Sequence, residues 1–194
     1  MESVTQVLAT TNEISLKGGN RRWFERRLTE NVRHALADLP VARVQRPAWR
    51  VLITFSKEVP FVDVARRLST VFGLNSMMPI SHCGHTLEQV EAALGPHLDS
   101  LTATSFAVRC IRSDKRFPMT SPEIEREIGQ YVQERTSWTV DLGNPELTVH
   151  LLLDENGFFF WSRKIAGPGG LPVGVSGRAL GMLSGGIDSP VSAF

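Results

Sequence analysis

The first 83 residues switch twice between a two-residue and a three-to-four-residue apolar period, which leaves few folds open to them. Residues 3–10 read as a strand, and Lys17-Gly18-Gly19-Asn20 as a turn that puts Asn20 at a helix N-cap. Phe24, Leu28, Val32, Ala35, Leu36 and Leu39 then recur on one helical face, while Arg22, Arg26 and Arg33 share another. Two strands follow, at 41–45 and 50–55, with a turn near Pro47. Pro60 opens a second helix with Phe61, Val64, Ala65, Leu68, Val71 and Phe72 inward, and Gly73 stops it. Residues 75–83 read as a fourth strand.

Strand-helix-strand taken twice is the order of a ferredoxin-like βαββαβ unit, an arrangement that by itself assigns no function. A second small α/β unit spans 84–165. Thr86-Leu87-Glu88-Gln89 is a capping box for a helix to about His97. Residues 105–111 alternate, with Phe106, Val108 and Cys110 on one side and Arg109 on the other. Ser121-Pro122-Glu123 starts a helix with Ile124, Ile128 and Val132 on one stripe. Trp138, Val140 and Leu142 alternate as a strand, as do Leu147, Val149, Leu151 and Leu153. Asp154-Glu155-Asn156-Gly157 then turns the chain into Phe158–Trp161. The glycine-rich 167–174 reads as a link, and the whole as an α+β chain.

No apolar run approaches the ~20 residues of a membrane span. Two cysteines, Cys83 and Cys110, suit a reducing cytoplasm, and Cys110 falls on an apolar strand face. His82-Cys83-Gly84-His85 offers only three ligands at cramped spacing, which argues against zinc. The formal net charge is +1, but it is unevenly spread. Residues 119–162 carry eight acids against two bases, and 102–118 carry four bases against one acid. Basic sectors beside an acidic one suit a nucleic-acid binder and also ordinary surface scatter.

Near the end, an apolar run to Leu183 reads as a buried strand, followed by the turn Ser184-Gly185-Gly186 and a helix opening at Asp188-Ser189-Pro190. Glycines let a phosphate approach the backbone, and N–H groups at a helix start are unpaired. Ser184 and Ser189 would add hydroxyl donors, and Asp188 could hold Mg2+. No Gly-Lys-Ser/Thr follows, so the loop is not of the Walker type. A strand-to-helix turn with no ligand accounts for the same residues.

Five blocks in one order resemble the tRNA 4-thiouridine synthetases (tRNA sulfurtransferases). They are 12–21 (Asn-Glu-Ile-Ser-Leu-Lys-Gly-Gly-Asn-Arg), 110–121 around Asp114-Lys115-Arg116-Phe117-Pro118, 141–145, 169–174 and 183–190. Thr11-Asn12 stands where the family often has an aromatic residue and a glycine. The resemblance implies a ferredoxin-like domain at 1–83 and a THUMP RNA-binding domain at 62–166 that includes its leading helix and strand. It also implies a linker at 167–177 and, at 178–194, the first strand and loop of a doubly wound ATP-pyrophosphatase domain, truncated at Phe194. It implies tRNA held by its acceptor end, adenylation of a uridine with ATP and Mg2+, and sulfur from a persulfide donor such as a cysteine desulfurase. It leaves room for a homodimer.

On that basis the RNA candidates are Lys17, Arg21, Arg22, Arg109, Arg112, Lys115 and Arg116, with Phe117 either a stacking surface or a core residue closing its strand. The ATP candidates are Met182, Leu183, Ser184, Gly185, Gly186, Asp188 and Ser189, with Asp188 toward the metal. No catalytic residue is expected within the chain, and the 194 residues alone are expected to be inactive. Two other readings stay open: a non-enzymatic RNA-binding module, and a pyrophosphatase-loop ligase acting on a small molecule.

Overall fold

The structure is a computed structural model describing residues 2–13, 19–46, 50–177, 180–182 and 184–193. Strand β1 (Ser3–Thr10), helix α1 (Arg21–Ala35), β2 (Val41–Gln45), β3 (Arg50–Pro60), α2 (Phe61–Leu68) and β4 (Ser76–Pro79) make the first unit. Its sheet runs β4-β1-β3-β2 with every neighbour antiparallel, the ferredoxin-like order. Because strand side chains alternate, Val7 and Ala9 of β1 face both helices, where they meet Leu28, Val32, Ile53, Phe61 and Leu68. Leu8 points to the opposite face and is also buried. Asn20 occupies the N-cap of α1, but its side chain makes no capping bond.

The fourth strand expected at 75–83 is two strands. The chain leaves the first sheet after Pro79, turns at the buried Ile80 and enters a second sheet as β5 (Ser81–Gly84). Helix α3 (Leu87–Asp99), β6 (Ser105–Arg112), α4 (Ser121–Arg135), β7 (Thr139–Val140), β8 (Leu147–Asp154) and β9 (Gly157–Trp161) complete this unit, with order β5-β9-β8-β6-β7. Strand β6 runs parallel to β7 and β8, whereas β9 is antiparallel to β8 and β5.

The Thr86 capping box forms, with Gln89 N donating to Thr86 Oγ1 (3.4 Å) and Thr86 N to Gln89 Oε1 (3.2 Å). At α4, the Glu123 carboxylate accepts from both the N–H and the hydroxyl of Thr120, at 2.6 and 2.7 Å. Expectation and structure part at two apolar side chains: Val140 and Leu142 are exposed, because β7 is only two residues long and lies at the sheet edge. Phe72 is also exposed, since α2 ends at Leu68 and the chain has left the helical register.

Each sheet carries its helices on one face and presses the other against its neighbour. Leu8, Met78 and Ile80 meet Leu152, Phe159 and Trp161 there. After β9 the chain returns to the first sheet: β10 (Ile165–Ala166) pairs with β4. The glycine-rich 167–173 then lies along the first unit. Gly167 N donates to Asn75 O (2.9 Å) and Gly169 N to Leu74 O (2.8 Å), and Gly73 N donates to Gly169 O (2.7 Å). Pro172 is buried against Gly73, whose φ of 100° suits glycine and whose missing Cβ would sit 3.0 Å from the proline ring. Arg27 Nε and Asn31 Nδ2 both donate to Val173 O.

The strand expected before Ser184 does not form among the described residues. Leu180 and Met182 are 96% and 91% exposed, and no neighbouring strand offers them a hydrogen-bonding ladder. A short helix, α5 (Asp188–Ala193), follows the glycine turn.

Candidate nucleic-acid interface

Beside the apolar contact between the sheets, the two units part to form a cleft of about 760 Å³. One wall is the outer face of the first sheet, with Gln6, Arg43, Gln45 and Arg46. The other carries His82 and His85 and the β8–β9 turn at 154–156. A hollow of about 420 Å³ continues past this turn, where Arg50 of β3 faces Ser113, Asp114 and Arg116 of the loop after β6. Guanidinium groups from both units therefore line this opening, interleaved with the carboxylates of Asp114, Asp154 and Glu155.

Local structure explains how each cation arrives. Arg43 and Gln45 oppose Thr54 and Leu52 in the β2–β3 ladder, so both leave the sheet on the face opposite the helices. The Glu25 carboxylate on α1 bridges Arg21 (2.7 Å) and Arg46 (3.5 Å), joining the helix start to the cleft rim. Arg50 is half-buried; desolvation lowers its pKa, and Asp154 opposes that shift. Arg43 is exposed and makes no ion pair among the described residues.

The basic loop keeps its shape through its own side chains. Arg112 Nη1 donates to the carbonyls of Phe117 (3.2 Å) and Met119, tying the loop ends together. Ser113 N and Asp114 N both donate to Leu153 O. Arg116 pairs with Asp114 yet stays 79% exposed, and Lys115 is exposed beside it. Phe117 packs edge-on against Phe158 at 5.1 Å, at the margin of the second core.

Of the residues singled out from sequence, Lys115 and Arg116 lie on the loop that borders this opening, and Arg21 reaches it through Glu25. Arg22 is exposed on α1. Arg109 lies elsewhere, lining a groove between α4 and the β7 edge, where its Nη2 donates to Leu142 O at 2.7 Å. Lys17 and Leu183 fall outside the described residues. Sequence reasoning misses Arg43, Arg46 and Arg50. Their signal is present as arginines interleaved with strand residues, which marks a face that is not buried in the helical core.

Neither cysteine is poised for chemistry. Burial pushes the Cys83 thiol up to about 12 and the Cys110 thiol to about 11. In the terminal loop, the hydroxyls of Ser184 and Ser189 lie 2.8 Å apart, and Gly186 N donates to Ser184 Oγ at 3.3 Å. Gly185, Gly186 and Asp188 are exposed, and a Cβ at Gly185 would meet nothing within 4 Å. Backbone N–H groups, two hydroxyls and an exposed carboxylate are the donor set that a triphosphate and Mg2+ require.

Two units of this topology, with an arginine-bearing opening between them, define a ferredoxin-like domain joined to a THUMP domain. Residues 6–78 match the ThiI ferredoxin-like domain and residues 86–160 the THUMP domain. The chain therefore carries a ThiI-type ferredoxin-like domain followed by a THUMP domain, and over nearly its whole length it is similar to proteins named probable tRNA sulfurtransferase. It is 42% identical over 191 residues to a probable tRNA sulfurtransferase of Moorella thermoacetica, covering 98% of this chain and 48% of that one. A crystal structure of a 4-thiouridine synthetase–RNA complex with bound ATP superposes with a TM-score of 0.81 at 28% identity, covering 98% of this chain and 49% of that one. A Pyrococcus horikoshii crystal structure matches with a TM-score of 0.80 at 27% identity over 94% of this chain and 61% of that one. The chain thus spans about half the length of the curated relatives it matches.

Proposed function

We propose that this chain is the tRNA-holding part of an ATP-dependent tRNA uracil 4-sulfurtransferase, gripping the acceptor end in the opening between its two units. The observation that carries the reading is that Arg43, Arg46 and Arg50 of one unit and Arg116 of the other border one opening, with Lys115 exposed on the same loop as Arg116. Such a surface binds backbone phosphates and unpaired ends without reading base identity, and so works as a ruler for a distant base. Arg21 and Arg22 support the same grip, and Arg112 holds the loop in shape, whereas Arg109 lies in the groove by α4, outside this opening.

The relative solved with RNA and bound ATP supports nucleotide use. Ser184, Ser189 and the N–H groups around Gly185 and Gly186 would hold the phosphates, with Met182 beside them and Asp188 toward Mg2+. ATP held there would adenylate the uridine 4-oxygen with loss of pyrophosphate. AMP would leave as the terminal sulfur of a persulfide from a partner such as a cysteine desulfurase attacks C4, the carrier sulfur then being released by a second thiol as a disulfide. The described residues around this loop are exposed, so the chain alone is expected to show no thiolation. The test compares binding of intact tRNA with tRNA lacking its 3′ single-stranded end. Weaker binding of the shortened RNA supports the acceptor-end reading, and equal binding overturns it.

A further inference from the structure

The second sheet has an open stretch that neither the contact between units nor the cleft uses. Arg109 on β6, His150 on β8 and Trp161 on β9 are ladder neighbours in one row, so their side chains leave the sheet on the same face. Trp161 is turned into the contact with the first unit and is 7% exposed. The half-buried His150 ring lies flat on the indole, with centroids 5.2 Å apart and planes within 9°. Its charged neighbours are Arg109 on β6 and Lys164 just after β9, and both are cationic; the Trp161 ring is neutral. Arg109 donates to the carbonyls of Val108 and Leu142 and shares a groove with Glu125, and neither it nor Lys164 makes an ion pair among the described residues.

Both cations disfavour protonation of the imidazole, and no carboxylate is among the charges acting on it. An anion placed over the row would offset them. We propose that the Arg109–His150–Lys164 row is a second phosphate-binding strip for RNA, outside the cleft, and that binding there takes up a proton at His150. The inference rests on the RNA-holding reading above.

The sign follows from the free protein. Burial first, then Lys164 and Arg109, hold the imidazole below its ordinary pKa, so it is neutral near pH 7. A phosphate oxygen favours the protonated ring, which can donate to it. Affinity therefore rises as pH falls, by at most about tenfold per pH unit for one proton. Trp161 fixes the ring plane, so the strip is already formed before RNA arrives.

The test measures tRNA affinity of the 194-residue chain at about pH 7.5 and about pH 6 at fixed ionic strength, for the native protein and His150→Gln. Several-fold tightening in the native protein that disappears in His150→Gln is the expected result. Lys164→Gln should lower the salt slope by roughly 0.7–0.9. Imidazole NMR titration of the native protein supplies a readout independent of any variant, and the His150 pKa should rise when tRNA saturates the chain. An unchanged His150 pKa, or a pH response that survives His150→Gln, overturns this strip alone. Failure of any form to bind tRNA at either pH overturns the RNA-holding reading and the strip with it.

Discussion

Asp114 grips Arg116 with both oxygens, Nε to Oδ1 at 2.9 Å and Nη2 to Oδ2 at 2.8 Å, and the Arg116 backbone N–H donates to the same carboxylate. The most exposed guanidinium of the basic loop is therefore already paired before RNA arrives. The side-chain bond from Arg116 and then its backbone N–H pull the Asp114 carboxyl down to about 2. The pairing stabilises the loop at every pH above the ordinary Asp value of 3.8 and is lost only as pH falls through about 2. NMR titration should find that low value, and Arg116→Ala should return it toward 3.8.

Asp114→Asn should tighten tRNA binding several-fold, because it frees Arg116 and removes a negative charge from the rim. Filter binding at two salt concentrations checks this. Weaker binding would mean that the pair, rather than a free Arg116, is what RNA meets.

Arg43→Ala and Arg50→Ala should each weaken tRNA binding and reduce the salt slope by roughly 0.9 for every phosphate that is no longer neutralised. Arg66→Ala, exposed on α2 on the helix-covered side of the first sheet, is the matched control and should leave both quantities unchanged.

Gly157→Ala should destabilise the second unit by about 2 kcal/mol or more. Its φ is 108°, and an added Cβ would sit 2.2 Å from the backbone oxygen of Gly84, which cannot rotate aside. Urea denaturation followed through the tryptophans reads the loss, and a stability equal to the native protein would contradict this account of the turn.

Cys83 and Cys110 should resist alkylation at about pH 8 in the folded protein and react once it is denatured, because their thiols stay protonated and covered. Mass spectrometry after a timed iodoacetamide pulse distinguishes the two states.

The elements were largely legible because their signals are local. The Thr86 box, the Gly73 and Gly157 positions and the stripes Leu28–Val32 and Ile124–Ile128–Val132 each lie within a few residues of sequence. The split at Ile80 was not legible. An apolar run such as Ser76–Ile80 looks the same whether it continues in one sheet or crosses to another. Leu151-Leu152-Leu153 hides its meaning in the same way: the outer two fill the second core, and Leu152 meets the first unit. The terminal loop shows the converse, since Leu180 and Met182 are apolar yet stay exposed where no strand among the described residues lies beside them.

The sequence by itself determined the order of strands and helices, the two cores and the basic loop, because periodicity, caps and turn glycines act over short distances. Only the tertiary structure decided which cations share a surface. Arg50 and Arg116 are far apart along the chain and line one hollow because two sheets stack face to face, whereas Arg109 is close to Arg116 in sequence and turns to another groove. Side-chain direction depends on which sheet face is covered, and that is fixed by packing between distant segments.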